Sequence, residues 1–203
     1  MNGLPAQPAL QSSRVRLRML ESSDIPDLFA MLSDAQFMRY WSCPAYTSIA
    51  QAQELFQKHD RGVRAGEFNY WAITLPPDDR FVGQCVMFNV NAPQRRAEIG
   101  YGLARPHWGH GYAREAMELV LDYAFGALAL HRLEADVDPR NSGSVRLLER
   151  LGFVREGLLR ERWHVNGEVS DSAIYGLLAP DHAAATNAAV ESEASSGVTP
   201  RTA

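Results

Sequence analysis

Two glycines flank a histidine at Gly109-His110-Gly111, where an apolar run from Ile99 to Leu103 gives way to a helical repeat of Ala113, Met117, Val120, Ala124 and Leu128. Apolar residues recurring three and four apart mark one face of a helix. The glycines therefore stand where a strand hands over to a helix. That place suits a diphosphate. The first turn of a helix presents unpaired N–H groups and the positive end of the helix dipole. Glycine lets phosphate oxygens approach the main chain with no Cβ in the way. The same pair also suits an ordinary strand-to-helix turn, because glycine is the default turn residue. Two nucleotide motifs are excluded. A dinucleotide fingerprint calls for Gly or Ala where Arg114 stands. A P-loop requires Gly-Lys-Ser/Thr, and Gly111 is followed by Tyr112.

Other residue types with chemical potential are scattered. Phe37, Tyr40, Trp41 and Tyr46 crowd the connector from Asp34 to Thr47. They read either as core or, since loops carry recognition groups readily, as a substrate entrance floored by Tyr40 and Trp41. His107 and His110 lie beside the glycines, but a metal site needs more converging ligands, so no metal is expected. Cys43 and Cys85 have no metal-ligand spacing and read as two free thiols.

The elements that position these groups follow from periodicity. Arg14 to Leu20 alternates Val15, Leu17 and Met19 with arginines, as a half-buried strand does. Ser22 or Ser23 caps a short helix carrying Ile25, Leu28, Phe29 and Leu32. Ser48 begins a second helix that ends near Gly62 to Gly66. Strands at Asn69–Leu75, Phe81–Asn91 and Ala97–Leu103 follow with short connections, so they are antiparallel neighbours. The helix after the glycines runs to about Leu128. A strand covers Arg132–Val137, a helix Gly143–Leu151, and two strands follow at Phe153–Glu161 and Ser172–Leu178 around an Asn166-Gly167 turn signal. Residues 1–12 read as a flexible arm, 13–182 as one domain, and 183–203, without aromatics, as a disordered tail.

At 203 residues, 46% hydrophobic and 22% charged, the composition is that of a globular protein able to bury a core. A net charge of −4 gives no basic footprint for nucleic acid or membrane. No membrane-spanning run or signal peptide is read in the sequence, so a cytoplasmic location is expected.

With these elements in order, the chain resembles the GNAT superfamily of acyl-CoA N-acyltransferases, and within it the Rim-type branch that includes ribosomal-protein alanine acetyltransferases. Three blocks carry the resemblance across about Arg14 to Leu178. They are Ala97-Glu98-Ile99-Gly100-Tyr101-Gly102-Leu103 running into Trp108-Gly109-His110-Gly111-Tyr112-Ala113-Arg114-Glu115-Ala116; Asn141-Ser142-Gly143-Ser144 through Leu147 to Phe153 and Glu156-Gly157; and Arg160-Glu161, Asn166-Gly167-Glu168, Asp171 and Leu177-Leu178. The superfamily usually has Gln or Arg where Trp108 stands, so a cation near the phosphates is missing.

The resemblance implies an α/β (α+β) GNAT fold, a mixed central sheet with a splayed strand pair and helices on both faces. It implies acetyl-CoA as co-substrate, with its pyrophosphate on Trp108, Gly109, His110, Gly111, Tyr112 and Ala113 and its pantetheine arm along Gly100 to Leu103. The Leu103 N–H would polarise the thioester carbonyl. Asn141 would bond the pantetheine arm, or cap the following helix, or both. Glu98 is the candidate general base, against the alternative of an exposed strand carboxylate. Ser144 is the candidate acid for the leaving thiolate, against a serine that bonds only backbone. Trp163 lines either the acceptor side or the core. The expected reaction moves an acetyl group to a primary amine, with a protein N-terminus of the ribosomal-protein type leading. A small amine (amino acid, polyamine or antibiotic) and a non-catalytic CoA-binding sensor are the alternatives. Both monomer and homodimer remain open.

Overall fold

The computed structural model describes residues 4–185 and 187. Its centre is an eight-stranded sheet in the order β1-β2-β3-β4-β5-β6-β8-β7. The strands are β1 (Leu10–Gln11), β2 (Arg16–Met19), β3 (Asn69–Leu75), β4 (Arg80–Asn91), β5 (Arg96–Leu103), β6 (Arg132–Val137), β7 (Val154–Val165) and β8 (Glu168–Leu178). Helices α1 (Ile25–Leu32), α2 (Ile49–Arg64), α3 (Tyr112–Asp122) and α4 (Ser142–Arg150) pack on it, and residues 179–185 are helical as well. α3 runs on through a π-helical turn, Tyr123–Ala127, so the helical stretch ends close to Leu128 but not as one regular helix.

Strand alternation explains why helices cover both faces. On β3, Trp71 and Ile73 join one apolar cluster with Met117, Val120 and Leu121 of α3 and Leu148 of α4. Tyr70 and Ala72, one residue out of phase, join a second cluster with Leu28, Met31 and Leu32 of α1 and Ala52 of α2. The β3–β4–β5 meander is antiparallel, as the short connections require. The closing hairpin turns at Asn166 and Gly167, both with positive φ, and its strands extend further than periodicity suggests.

Two local expectations are corrected. The flexible arm is, from residue 4 to 12, tied to the sheet. The Gln7 amide donates to the Tyr70 carbonyl (2.9 Å) and accepts from the Tyr70 N–H (2.6 Å), and the Trp71 indole donates to the Pro8 carbonyl (2.8 Å). A side-chain amide that mimics a ladder rung leaves no trace in hydrophobic periodicity. The first helix is not capped by Ser22 or Ser23. Those residues form a 3-10 turn with Asp24, capped by Glu21. The tail expected over 183–203 lies outside the described residues except for 183–185 and 187, which are helical. Among the described residues no helix is long and apolar enough to cross a membrane.

The feature that matters for function is a parted strand pair. β5 and β6 are parallel and pair only at Arg96–Arg132, Ala97–Leu133 and Glu98–Glu134. Beyond Glu98 they separate. β5 stays in continuous register with β4 from Glu98–Phe88 to Leu103–Gly83. The Ala104 N–H donates to the Val82 carbonyl at 2.8 Å, which makes that rung a hydrogen-bonded one. Antiparallel rungs alternate, so Leu103 and Tyr101 occupy non-hydrogen-bonded rungs. Their N–H and C=O groups point away from β4, into the opening. The close approach of β4 and β5 depends on Gly83, where a Cβ would lie 2.4 Å from the Gly102 carbonyl oxygen. Gly83→Ala is therefore expected to destabilise the fold by about 1–3 kcal/mol. Urea denaturation measures the effect.

Candidate active site

The turn that opens α3 is built by backbone conformation. Gly109 and Gly111 have φ of +80° and +82°, the left-handed region that L side chains disfavour by about 1–2 kcal/mol per residue. Space is not the reason for glycine: a Cβ at Gly109 would meet nothing within 4 Å. Arg14, at the approach to β2, braces the turn. Its guanidinium donates to the His110 carbonyl (3.2 Å) and pairs with Glu115 in the first turn of α3 (2.6 Å). Glu115 also accepts from the Ser12 hydroxyl and the Arg14 N–H. Burial pushes the Glu115 carboxyl up, but these hydrogen bonds and the Arg14 charge outweigh it and hold the pKa below its ordinary 4.5. The brace turns an acidic residue in the first helical turn toward Arg14, away from an anion's place.

Trp108 does not supply the missing cation. Its indole donates to the Leu103 carbonyl at 2.6 Å and its ring is half exposed. It satisfies one of the main-chain acceptors that face the opening.

Two cavities meet at the parted strands. One, about 680 Å³, is lined by Leu103, Trp108, Gly109, Gly111, Tyr112 and Ala113, with Asn141 and Ser144 opposite. His110 alone of the expected pyrophosphate residues does not line it; its ring stacks on Tyr112. The other, about 740 Å³, is lined by Glu98, Gly100, Trp163 and the aromatic connector. Tyr40, Trp41, Tyr101, Arg140, Asn141 and Ser144 line both. These six residues stand where the two cavities meet.

Each expected residue can now be placed. Tyr40 and Trp41 stand at the waist between the cavities. Trp41 is held by Phe37 (ring centroids 5.3 Å apart), and both rings fill the space a Cβ would take at Gly102. The connector that carries them is pinned to the β5–α3 loop, where Arg105 pairs with Asp34 and donates to Gln36 (2.8 Å). Asn141 caps α4, its side chain accepting from the Ser144 N–H at 3.2 Å. Glu98 sits on the last paired rung of β5 and accepts from the Asn89 amide at 3.0 Å. Trp163 lies in the wall of the larger cavity with Arg162 over its ring.

Sequence reasoning missed three contributors. Tyr101 spans the opening to place its phenol 2.8 Å from the Ser144 hydroxyl; alternation along β5 already puts it on the face opposite Glu98. Arg140 pairs with Asp138 (2.6 Å) and Glu168 at the waist, and Arg14 braces the turn. Arg14 with His110 and Glu115, and Arg140 with Glu168, make contacts distant in sequence, for which no local pattern exists.

The arrangement fits acetyl-CoA: a cradle of two left-handed glycines at a helix start for the pyrophosphate, and unpaired main-chain groups on β5 for an extended arm. Comparison with known proteins agrees. Residues 14–154 match the acetyltransferase (GNAT) domain model. An uncharacterized N-acetyltransferase of Bacillus licheniformis is 35% identical over 174 residues, covering 86% of this chain and 98% of that one. The structure of a Vibrio cholerae spermidine N-acetyltransferase, solved with CoA and spermine, superimposes with a TM-score of 0.75 at 28% identity, covering 85% of this chain and 99% of that one. A Vibrio fischeri ribosomal-protein-S5-alanine acetyltransferase shares the fold with a TM-score of 0.75 at 21% identity, covering 86% and 98%. The chain belongs to the GNAT acetyltransferase family. It is an acetyl-CoA-dependent N-acyltransferase.

The brace gives a pH-dependent prediction. A carboxyl whose pKa is depressed on folding stabilises the fold above its ordinary value and loses that contribution as pH falls through the depressed one. Glu115→Gln is expected to lower stability at pH 7 by about 2 kcal/mol. The difference from wild type should shrink as pH falls below 4.5. Urea denaturation across that range is the measurement.

Proposed function

We propose that the enzyme acetylates a single primary amine, with a protein N-terminal α-amine of the ribosomal-protein type as the acceptor class. Acetyl-CoA lies in the smaller cavity, its pyrophosphate on the turn from Trp108 to Ala113. The amine enters through the larger cavity. The observation that carries this reading is the charge pairing there. Asp136 is paired with Arg162 (2.9 Å), and Asp138 and Glu168 with Arg140. Among the described residues, Glu98 is the carboxylate of that cavity with no ion pair. A site with one uncompensated carboxylate matches one ammonium group better than a polycation.

The chemistry follows from the geometry. Glu98, through a water molecule, removes a proton from the incoming amine. The amine nitrogen attacks the thioester carbonyl carbon, and the Leu103 N–H, facing the opening, donates to the developing oxyanion. Collapse expels the CoA thiolate on the Ser144 side. The proton demand also suits an α-amine. Its ordinary pKa of about 7.7–8.0, against about 10.4 for lysine, leaves about a quarter of it neutral near pH 7.4. Such an acceptor needs a proton path more than a strong base. A cytoplasmic location accords with this acceptor and donor.

A second reading is a polyamine acceptor, favoured by the likeness to spermidine acetyltransferases. Thiol release from acetyl-CoA, measured against N-terminal peptides, amino acids, spermidine and aminoglycosides, separates the two. The proposal expects kcat/KM highest for peptides, with Glu98→Gln lowering kcat by about 10²–10⁴-fold. Turnover confined to spermidine contradicts it.

A further inference from the structure

The charge pairing of the larger cavity leaves a cation as well as a carboxylate over. Arg39, Arg140 and Arg162 line it. Arg162 pairs with Asp136, and Arg140 with Asp138 and Glu168. Among the described residues, Arg39 is the cation of that cavity with no ion pair. Like Glu98, it lines the larger cavity and not the smaller one. Both unpaired charges therefore belong to the side away from the proposed donor.

Arg39 is placed by its neighbours. It lies on the 3-10 turn Met38–Tyr40 of the aromatic connector, between buried Met38 and half-buried Tyr40. Its guanidinium carbon lies 5.6 Å from the centre of the Tyr40 ring, and that of Arg140 lies 5.9 Å from the same centre. An aromatic face attracts cations, so one ring at the waist gathers two guanidinium groups. Two carboxylates answer the Arg140 charge. None answers that of Arg39. Asp138 feels the Arg39 charge, but both its oxygens are taken by Arg140. A guanidinium fork matches a carboxylate, which it can hold through two parallel N–H···O bonds.

We infer that Arg39 selects the acceptor: it takes an anionic group of the incoming molecule while Glu98 faces the amine, so the acceptor is a primary amine that also carries a carboxylate. This deepens the acceptor reading above and rests on it. In an N-terminal peptide the carboxylate is an acidic side chain within the first few residues. In a free amino acid it is the α-carboxylate. A polyamine offers no such group, and Arg39 repels it.

The test is initial-rate kinetics with acetyl-CoA on wild type, Arg39→Ala and Arg39→Glu. The acceptors are peptides identical except for aspartate, asparagine or lysine at the second position, together with alanine and alaninamide. In wild type the aspartate peptide is expected to exceed the asparagine peptide in kcat/KM by at least about tenfold, the value of one hydrogen bond to a charged group. The difference should lie in KM and shrink in high salt, which screens exposed charges. Arg39→Ala should abolish the preference, and Arg39→Glu should turn it toward the lysine peptide. A merely structural role for Arg39 would lower all rates without reversing their order. Peptide turnover in wild type that is blind to the charge, or an aspartate preference that survives in Arg39→Glu, would overturn this inference and leave the N-terminal reading standing. Turnover of alanine but not of alaninamide or any peptide, lost in Arg39→Ala, would support the carboxylate and contradict the N-terminal reading. Should Arg39→Glu fail to fold, Arg39→Ala and the salt dependence of wild type carry the same test. No turnover of any of these acceptors would overturn both.

Discussion

Buried main-chain N–H and C=O groups require partners, and past Glu98 the β5 strand is offered them on one side only. The β4 ladder satisfies alternate residues, while Tyr101 and Leu103 turn their groups toward a β6 that has moved away. This unfinished ladder organises the molecule. An extended ligand can complete it as an added strand, in the manner of β-augmentation, where main-chain geometry supplies affinity. It also explains why the two cavities meet where they do: the opening lies between the sheet faces covered by the two apolar clusters.

Several contacts hold the opening in shape. Trp108 takes up the Leu103 carbonyl, so the strand end keeps its N–H for a ligand while its acceptor is satisfied. Arg14 and Glu115 fix the glycine turn from the N-terminal side. Arg105 and Asp34 fix the aromatic connector over Gly102. None of these pairs touches the expected reacting atoms. Their effect is preorganisation: in the proposed reaction the thioester carbonyl meets the Leu103 N–H and the amine together, and small misplacements at such a centre are costly in rate.

The strands and helices that bury one face were legible because period-2 and period-3.6 patterns record burial directly. Arg132–Val137 has the bounds that alternation indicates, while Asn69–Leu75, buried on both faces, was bounded by the turn residues that follow it. The glycine turn was legible because its chemistry is local. What the sequence concealed was carried by single side chains over long separations. Gln7 imitates a strand rung against Tyr70, Arg14 reaches His110, and Tyr101 reaches Ser144; none changes the periodicity of its own segment. His110 shows the reverse case. It lies within a legible motif, yet stacking on Tyr112 turns its ring away from the cavity wall. The acceptor side was the least readable because much of its wall comes from a connector, the edge hairpin and the loop between β6 and α4, where burial follows no period.

Amide hydrogen exchange, resolved by residue and measured with and without acetyl-CoA, tests the central claim most directly. The account predicts that binding raises protection at the Tyr101 and Leu103 amides and along Gly109 to Ala113, while Gly100 and Gly102, already bonded to β4, change little. Binding that leaves Tyr101 and Leu103 exchanging as in the free enzyme would contradict it, and would place the donor elsewhere than in the unfinished ladder.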